Sequence, residues 1–130
     1  MGKMIYQITP VPKPRMTRQD KWPTPPPKYR GKEWPRRCVQ RYWNFVNLVA
    51  VNNIDLPEIG ATVIFILPMP DSWSKTKKER MNGRYHQQKP DLSNLQKAIE
   101  DAIYKDDSAI ADIHTTKRWG YEGQIIIKSP

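Results

Sequence analysis

Hydrophobic and polar positions repeat with two different periods along this chain, and each period predicts a different kind of element. Between Arg37 and Asn52, apolar residues recur every three or four positions, which predicts an amphipathic helix. Residues 59–67, IGATVIFIL, are β-branched and almost continuously apolar, so we predict a strand that is covered on both faces. A second helix with one apolar arc is predicted to have Asp91 as its N-cap and to reach Ile103 or Tyr104.

Shorter patterns predict the remaining elements and, with them, the fold class. A short helix inside residues 72–83 has Ser72 or Ser74 as its candidate N-cap. Because strands and helices interleave, we expect an α+β fold in a single compact domain over residues 1–130. That domain would have one mixed β-sheet, about two main helices packed against it and a long Pro-rich basic loop. Three further strands are predicted, over residues 4–9, 109–119 and 124–128.

The cysteine count and the lengths of the apolar runs set the expected compartment. Cys38 is the single cysteine, so it cannot close an intrachain disulfide. The longest apolar run, residues 61–67, is far shorter than the roughly 20 residues that span a bilayer. The N-terminus also lacks the continuous apolar stretch of a secretion signal. We therefore expect a cytoplasmic protein with no membrane partner.

The chain carries a large excess of positive charge. Its 22 Lys and Arg against 13 Asp and Glu give a formal net charge of +9. A field of this sign attracts polyanions, and nucleic acid is the commonest polyanion that a small soluble protein meets. The alternative is a cationic surface that only keeps the protein soluble.

Residues 11–36 concentrate this charge in a Pro-rich arm. They hold seven prolines and eight bases against two acids, with aromatic residues between them at Trp22, Tyr29 and Trp34. Such an arm suits neutralisation of phosphates combined with stacking on exposed bases. A solvated loop whose aromatic residues pack back on the domain is the other interpretation, and the sequence leaves both open.

Residues 91–112 run against the basic trend, with six acids and two bases. Carboxylates held close together repel one another, which raises a pKa or calls for a cation. Hard oxygen ligands with no Cys or His nearby select Mg²⁺ or Mn²⁺, and such an ion beside a phosphodiester promotes hydrolysis. Lys97 could then neutralise charge that develops on the phosphate. Each residue also has an ordinary structural role, such as an N-cap for Asp91 or an ion pair between Lys97 and Asp101.

Several stretches of the chain together resemble a known family. KPDLSNLQKAIEDA followed by KDDS, with PVPKPRMTRQDKW before them and RWGYEGQIIIK after them, resembles the RusA-type Holliday junction resolvases, small endodeoxyribonucleases of bacteria and their phages. The resemblance implies a Mg²⁺-dependent homodimer in a bacterial cell, with a phage or prophage as one source of the gene. Such an enzyme binds four-way DNA junctions and cuts symmetrically related strands in recombination, repair or phage DNA processing.

The resemblance also implies the site residues. It places catalytic roles on Asp91, Asp107 and Lys97, and metal-binding roles on Asp91 and Asp107 with Asp106 beside them. The basic residues expected to hold the DNA are Lys13, Arg15, Arg18, Lys75, Lys77, Lys78, Arg84 and Lys89.

One position departs from the family's pattern, because Ser93 stands in DLSN where the family often carries a second aspartate. Three outcomes stay open. The site works with one carboxylate fewer, Asp101 or Asp106 takes the vacant role, or the chain is a catalytically weak or inactive nucleic-acid-binding protein with a degenerate site. A further alternative is a protein that binds RNA or other polyanions without preference for branching.

Overall fold

Four β-strands form one sheet in the computed structural model, which describes residues 2–15 and 36–130. Most of the Pro-rich arm therefore lies outside the described residues. The strands are β1 (Lys3–Tyr6), β2 (Ile59–Pro68), β3 (Asp112–Gly120) and β4 (Gln124–Lys128). The helices are α1 (Arg37–Val51), α2 (Lys75–Met81) and α3 (Leu92–Ile103), and a 3-10 turn spans Asp107–Ala109.

The sheet is mixed, with the strand order β1-β4-β2-β3. Strand β2 pairs in parallel with β3 and antiparallel with β4, and β4 pairs antiparallel with β1. A parallel pair needs a long crossover connection, and here that connection contains α2, α3 and the 3-10 turn. The single compact α+β fold with one mixed sheet is confirmed, and the crossover carries the acidic residues back to the start of β3.

Helices α1 and α3 bury their apolar faces in the same core as one face of the sheet. Phe45 from α1, Leu95 and Ile99 from α3, and Phe65 and Ile125 from the strands are each 2% exposed or less. These two helices are the two main helices that were expected. Helix α2, in contrast, buries none of its described residues and lies on the surface.

Strand β2 is covered less evenly than its sequence predicts. Ala61, Val63 and Phe65 are fully buried, whereas the alternating positions, Ile64 among them, are only partly buried. The prediction of full cover on both faces is therefore wrong for the part of the chain that the structure describes. The physical reason is that the described core residues of α1 and α3 cluster with one face of the strand only.

The apolar spacing in α1 predicts that Trp43 belongs to the buried stripe, and the structure differs at this residue. The helix buries Val39, Tyr42, Phe45 and Val49, while Trp43 is 50% exposed. A spacing of three, three and four residues keeps the four buried residues on one side of the helix, and Trp43 lies at the edge of that side. The size of an apolar side chain alone therefore does not determine which residues of α1 face the core.

Strand β1 ends earlier and strand β3 begins later than predicted. Strand β1 stops at Tyr6, which is the last residue to pair with β4. Strand β3 begins at Asp112, because the 3-10 turn occupies residues 107–109.

None of the described helices combines the length and the hydrophobicity that a bilayer-spanning segment needs.

Candidate active site

Helix α3 sets the geometry of the acidic region. Its apolar face, which includes Leu95 and Ile99, is buried in the core, so Lys97 and Asp101 are left on the accessible side one turn apart. Asp91 occupies the predicted N-cap position, but its carboxylate accepts no capping hydrogen bond from the described residues. The Asp91 carboxylate therefore does not play the capping role that the sequence suggested.

Lys97 contacts two carboxylates at once. Its Nζ donates a hydrogen bond to Asp107 Oδ2 over 2.8 Å and lies 3.3 Å from Asp101 Oδ1. The hydrogen bond to Asp107, and after it the one to Asp101, raises the pKa of Lys97. The structure thus brings together two of the predicted catalytic residues, Lys97 and Asp107.

A second lysine reaches the same group from the N-terminal segment. The backbone N–H of Lys13 donates to the carbonyl of Asn94 over 3.0 Å, which fixes this segment against α3. Lys13 Nζ lies 3.0 Å from Asp101 Oδ2 and 4.6 Å from the centroid of the Tyr42 ring. Partial burial lowers the pKa of Lys13, but the interactions with Asp101 and Tyr42 outweigh burial and raise it overall. Asp101 therefore bridges the two lysines.

Asp91 lies next to this group of charges. It lines an open cavity of about 470 Å³ together with Lys13, Lys89 and Asn94. Lys13 therefore belongs both to the Asp91 cavity and to the ion pair with Asp101. The predicted DNA-binding residue Lys89 also lies here, beside the acid that the resemblance makes catalytic.

Asp106 is placed differently from the other acids. Its carboxylate is exposed and accepts a hydrogen bond from the backbone N–H of Ser108 over 3.0 Å. That backbone hydrogen bond is the main cause of a lowered pKa for Asp106. In the described structure Asp106 caps the 3-10 turn in which Asp107 is presented to Lys97.

Lys117 has a role that the sequence reasoning missed. Its Nζ donates to the carbonyl of Pro90 over 2.6 Å and also to the carbonyl of Gln88. Lys117 lies on β3, so it ties the segment before Asp91 to the sheet. No local pattern signals this contact, because the partners are 27 to 29 positions apart in the sequence.

Several of the basic residues predicted to hold DNA lie on or directly after α2. Lys75, Lys77 and Lys78 lie on α2, where Lys77 Nζ is 4.2 Å from the centroid of the Trp73 ring. Arg84 follows α2 and donates from Nε to the carbonyl of Arg80 over 2.8 Å. Arg15 is the last residue described in the first part of the arm, and its carbonyl accepts a hydrogen bond from Arg36. Outside the described residues are Arg18, Trp22, Tyr29 and Trp34.

The described acids at this site do not form a closed metal cage. Within residues 2–15 and 36–130, no three His, Cys, Asp or Glu side chains are gathered closely enough to hold a metal ion alone. Asp101 and Asp107 both contact the ammonium group of Lys97. Mg²⁺ commonly takes one or two carboxylates and completes its shell with water and phosphate oxygens. A Mg²⁺ ion at this site would therefore take part of its shell from water and DNA phosphate.

The fold and the site together define a class of protein: a small α+β domain that combines carboxylates and lysines with basic surfaces suited to a polyanion. The chain belongs to the RusA endodeoxyribonuclease family, since the family model described as Endodeoxyribonuclease RusA matches residues 6–128. This family comprises endodeoxyribonucleases that resolve Holliday junctions in recombination, so DNA is the partner of the chain. A comparison with curated proteins gave no match.

Proposed function

We propose that this protein is a Mg²⁺-dependent, structure-specific endonuclease that cuts four-way DNA junctions, with Mn²⁺ able to replace Mg²⁺. The contact between Lys97 and Asp107 beside the Asp91 cavity carries this proposal. The chain belongs to the RusA family. In this contact Asp107 provides oxygen donors, which a hard metal ion prefers, and Lys97 provides an ammonium group for the phosphate. The setting would be DNA recombination, repair or phage DNA processing in the bacterial cytoplasm.

In this proposal Asp91 and Asp107 hold the metal ion, with Asp106 supporting them. When bound, Mg²⁺ supplies Lewis acidity at the phosphoryl oxygen. Lys97 binds the phosphate. An ammonium group has three donors, and Asp101 and Asp107 take two of them, so the third is available to a phosphate oxygen. A lysine is charged at neutral pH, and the raised pKa of Lys97 extends that charge to higher pH.

Ser93 reduces the number of carboxylates at the site, and we propose that the site still works with one carboxylate fewer. Asp101 is held by both Lys13 and Lys97, which supports a role in positioning the lysines over a role as the replacement ligand. A site with fewer carboxylates favours one tightly held metal ion over two.

The proposed assembly is a homodimer, because a two-fold symmetric junction presents two equivalent sites and a C2 pair delivers one active site to each. The sequence suggests Trp43, Phe45 or an exposed edge of the sheet as the interface, and Phe45 is buried in the core. Trp43 and the outer edge of β1, where Met4 and Ile5 are half exposed, remain the candidates. Analytical ultracentrifugation of the free protein would test the dimer.

The second candidate function is junction binding with little or no cleavage. Ser93 favours it, because a hydroxyl cannot supply the charge of the aspartate that the family often carries there. Under this alternative the basic surfaces would still bind branched DNA.

The experiment that separates the two functions uses labelled four-way and linear DNA, with Mg²⁺ and with EDTA. The nuclease proposal predicts that Mg²⁺ triggers symmetric cuts in the four-way junction and leaves the linear duplex intact. The matched variant Asp91→Asn should bind the junction at least as tightly, since it removes a negative charge near phosphate, and should not cut it. Binding by the wild-type protein without Mg²⁺-dependent cuts would select the second function. Cleavage by Asp91→Asn at the wild-type rate would reject the assignment of Asp91.

A further inference from the structure

Tyr85 is an exposed aromatic residue on the segment that leads into Asp91. Its side chain is 61% exposed, and the guanidinium carbon of Arg118 lies 4.3 Å from the centroid of its ring. The two residues also form an isolated antiparallel bridge between their backbones. A single exposed aromatic residue needs no explanation by itself, so its surroundings decide what it can do.

The backbone around Tyr85 is fixed to β3. The N–H of Gly83 donates to the carbonyl of Trp119, and the N–H of Trp119 donates to the carbonyl of Arg84, each over 2.9 Å. The N–H of His86 donates to the carbonyl of Lys117 over 3.0 Å. The backbone that carries Tyr85 is therefore fixed by hydrogen bonds to β3. Little backbone conformational entropy would be lost when a ligand stacks on the ring.

The charge around the ring has one sign. Tyr85, Arg84 and Arg118 line an open cavity of about 400 Å³ whose described lining includes no carboxylate. Arg118 donates from Nη1 to the carbonyl of Gly83 over 2.7 Å, so its guanidinium is oriented by the backbone. A ligand that suits this surface has a flat π-face and a negative charge beside it. A nucleotide has both.

We propose that Tyr85 is a stacking platform for an unpaired base of branched DNA, with Arg84 and Arg118 facing the adjoining phosphates. Arg118 covers one face of the ring, which leaves the other face for the base. This inference rests on the proposed function in taking DNA junctions as the ligand, and Tyr85 precedes Asp91 by only six positions. Because every base has a π-face, the platform would tolerate any base.

The test measures binding in EDTA, so that it does not depend on cleavage. The probe is a four-way junction with 2-aminopurine at the branch point. The wild-type protein should quench the fluorescence of the probe on binding. Tyr85→Ala and Tyr85→Leu should lose the quenching and bind about tenfold more weakly, whereas Tyr85→Phe should behave like the wild type. The matched control is Tyr121→Ala, because Tyr121 is 56% exposed and lies outside this cavity.

Salt dependence separates stacking from ionic attraction. Tyr85→Ala should leave the slope of log affinity against log salt unchanged, whereas Arg118→Ala should reduce the magnitude of the slope by about one. The proposal is overturned if Tyr85→Ala binds like the wild type, if Tyr121→Ala loses as much affinity, or if the loss comes with a changed slope. Each variant's thermal midpoint shows whether it is folded.

The outcome is independent of the nuclease assay. If the wild-type protein does not cut with Mg²⁺ but still needs Tyr85 for quenching and affinity, the proposed function fails and the platform stands. If the wild-type protein cuts and Tyr85→Ala and Tyr85→Leu bind normally, the platform alone fails.

Discussion

At the scale of single residues, Asp101 forms ion pairs with two lysines that the proposed function needs. It lies 3.0 Å from Lys13 and 3.3 Å from Lys97, and both lysines have a raised pKa. The acid therefore acts through its neighbours. Since Asp107 is the larger cause of the raised pKa of Lys97, removal of Asp101 should weaken the site without abolishing it.

We predict that Asp101→Asn lowers kcat for junction cleavage by roughly three- to tenfold, the effect of one partly exposed charge-assisted hydrogen bond. The alkaline limb of its pH–rate profile should move to lower pH, because Lys97 would lose its proton more easily. The measurement is single-turnover cleavage across pH, with the exposed Asp71→Asn as control. A uniform loss at every pH would indicate a structural role only.

The same raised pKa values set the sign of a stability effect. A lysine whose folded-state pKa is raised contributes stability that is fully present below the unfolded pKa, about 10.4. That contribution is lost as the pH rises through the folded pKa. The destabilisation of Asp101→Asn relative to the wild type, measured by urea unfolding, should therefore be present at neutral pH and shrink at strongly alkaline pH.

At the scale of elements, the N-cap of α2 stabilises the helix that carries Lys75, Lys77 and Lys78. Ser74 accepts a hydrogen bond from the N–H of Lys77 over 3.1 Å, which resolves the choice between Ser72 and Ser74. Ser74→Ala should destabilise α2 by about 1 kcal/mol. We expect faster hydrogen exchange in α2 and weaker junction binding. Ser72→Ala is the control, and equal effects in both variants would contradict the cap.

Helix α1 offers a matched pair of aromatic residues. Phe45→Ala should lower the free energy of unfolding by about 3–5 kcal/mol, because Phe45 is 2% exposed and the change leaves a cavity. Trp43→Ala should cost much less, because Trp43 is 50% exposed. Urea unfolding of the two variants checks this, and a larger loss for Trp43→Ala would contradict the assigned core face.

Local signals explain which elements could be predicted from the sequence. The apolar arc of α3 and the N-cap position at Asp91 need only neighbouring residues, and both are confirmed. Whether Phe45 or Trp43 faces the core depends on how α1 packs against the rest of the fold. The hydrogen bonds of Lys117 to the segment before Asp91 depend on which strand follows the crossover. No local pattern contains that information.

At the scale of the whole molecule, the parallel pairing of β2 with β3 assembles the candidate site. The crossover brings α3 and the turn with Asp107 together, and the N-terminal segment adds Lys13 from the other end of the chain. The sequence motifs could identify Asp91, Lys97 and Asp107 as a set through the family resemblance. The contact of Lys13 with Asp101 required the fold, because 88 positions separate them.

A Mg²⁺ titration of four-way junction cleavage by the wild type and by Asp107→Asn provides the sharpest test, with binding measured in EDTA alongside. The wild-type rate should rise with Mg²⁺ and saturate. Asp107→Asn should bind the junction but show no Mg²⁺-dependent cleavage, because it removes the charge that faces Lys97 and the proposed metal ion. Cleavage by Asp107→Asn that follows the wild-type curve, or wild-type cleavage that continues unchanged in EDTA, would contradict the proposed site.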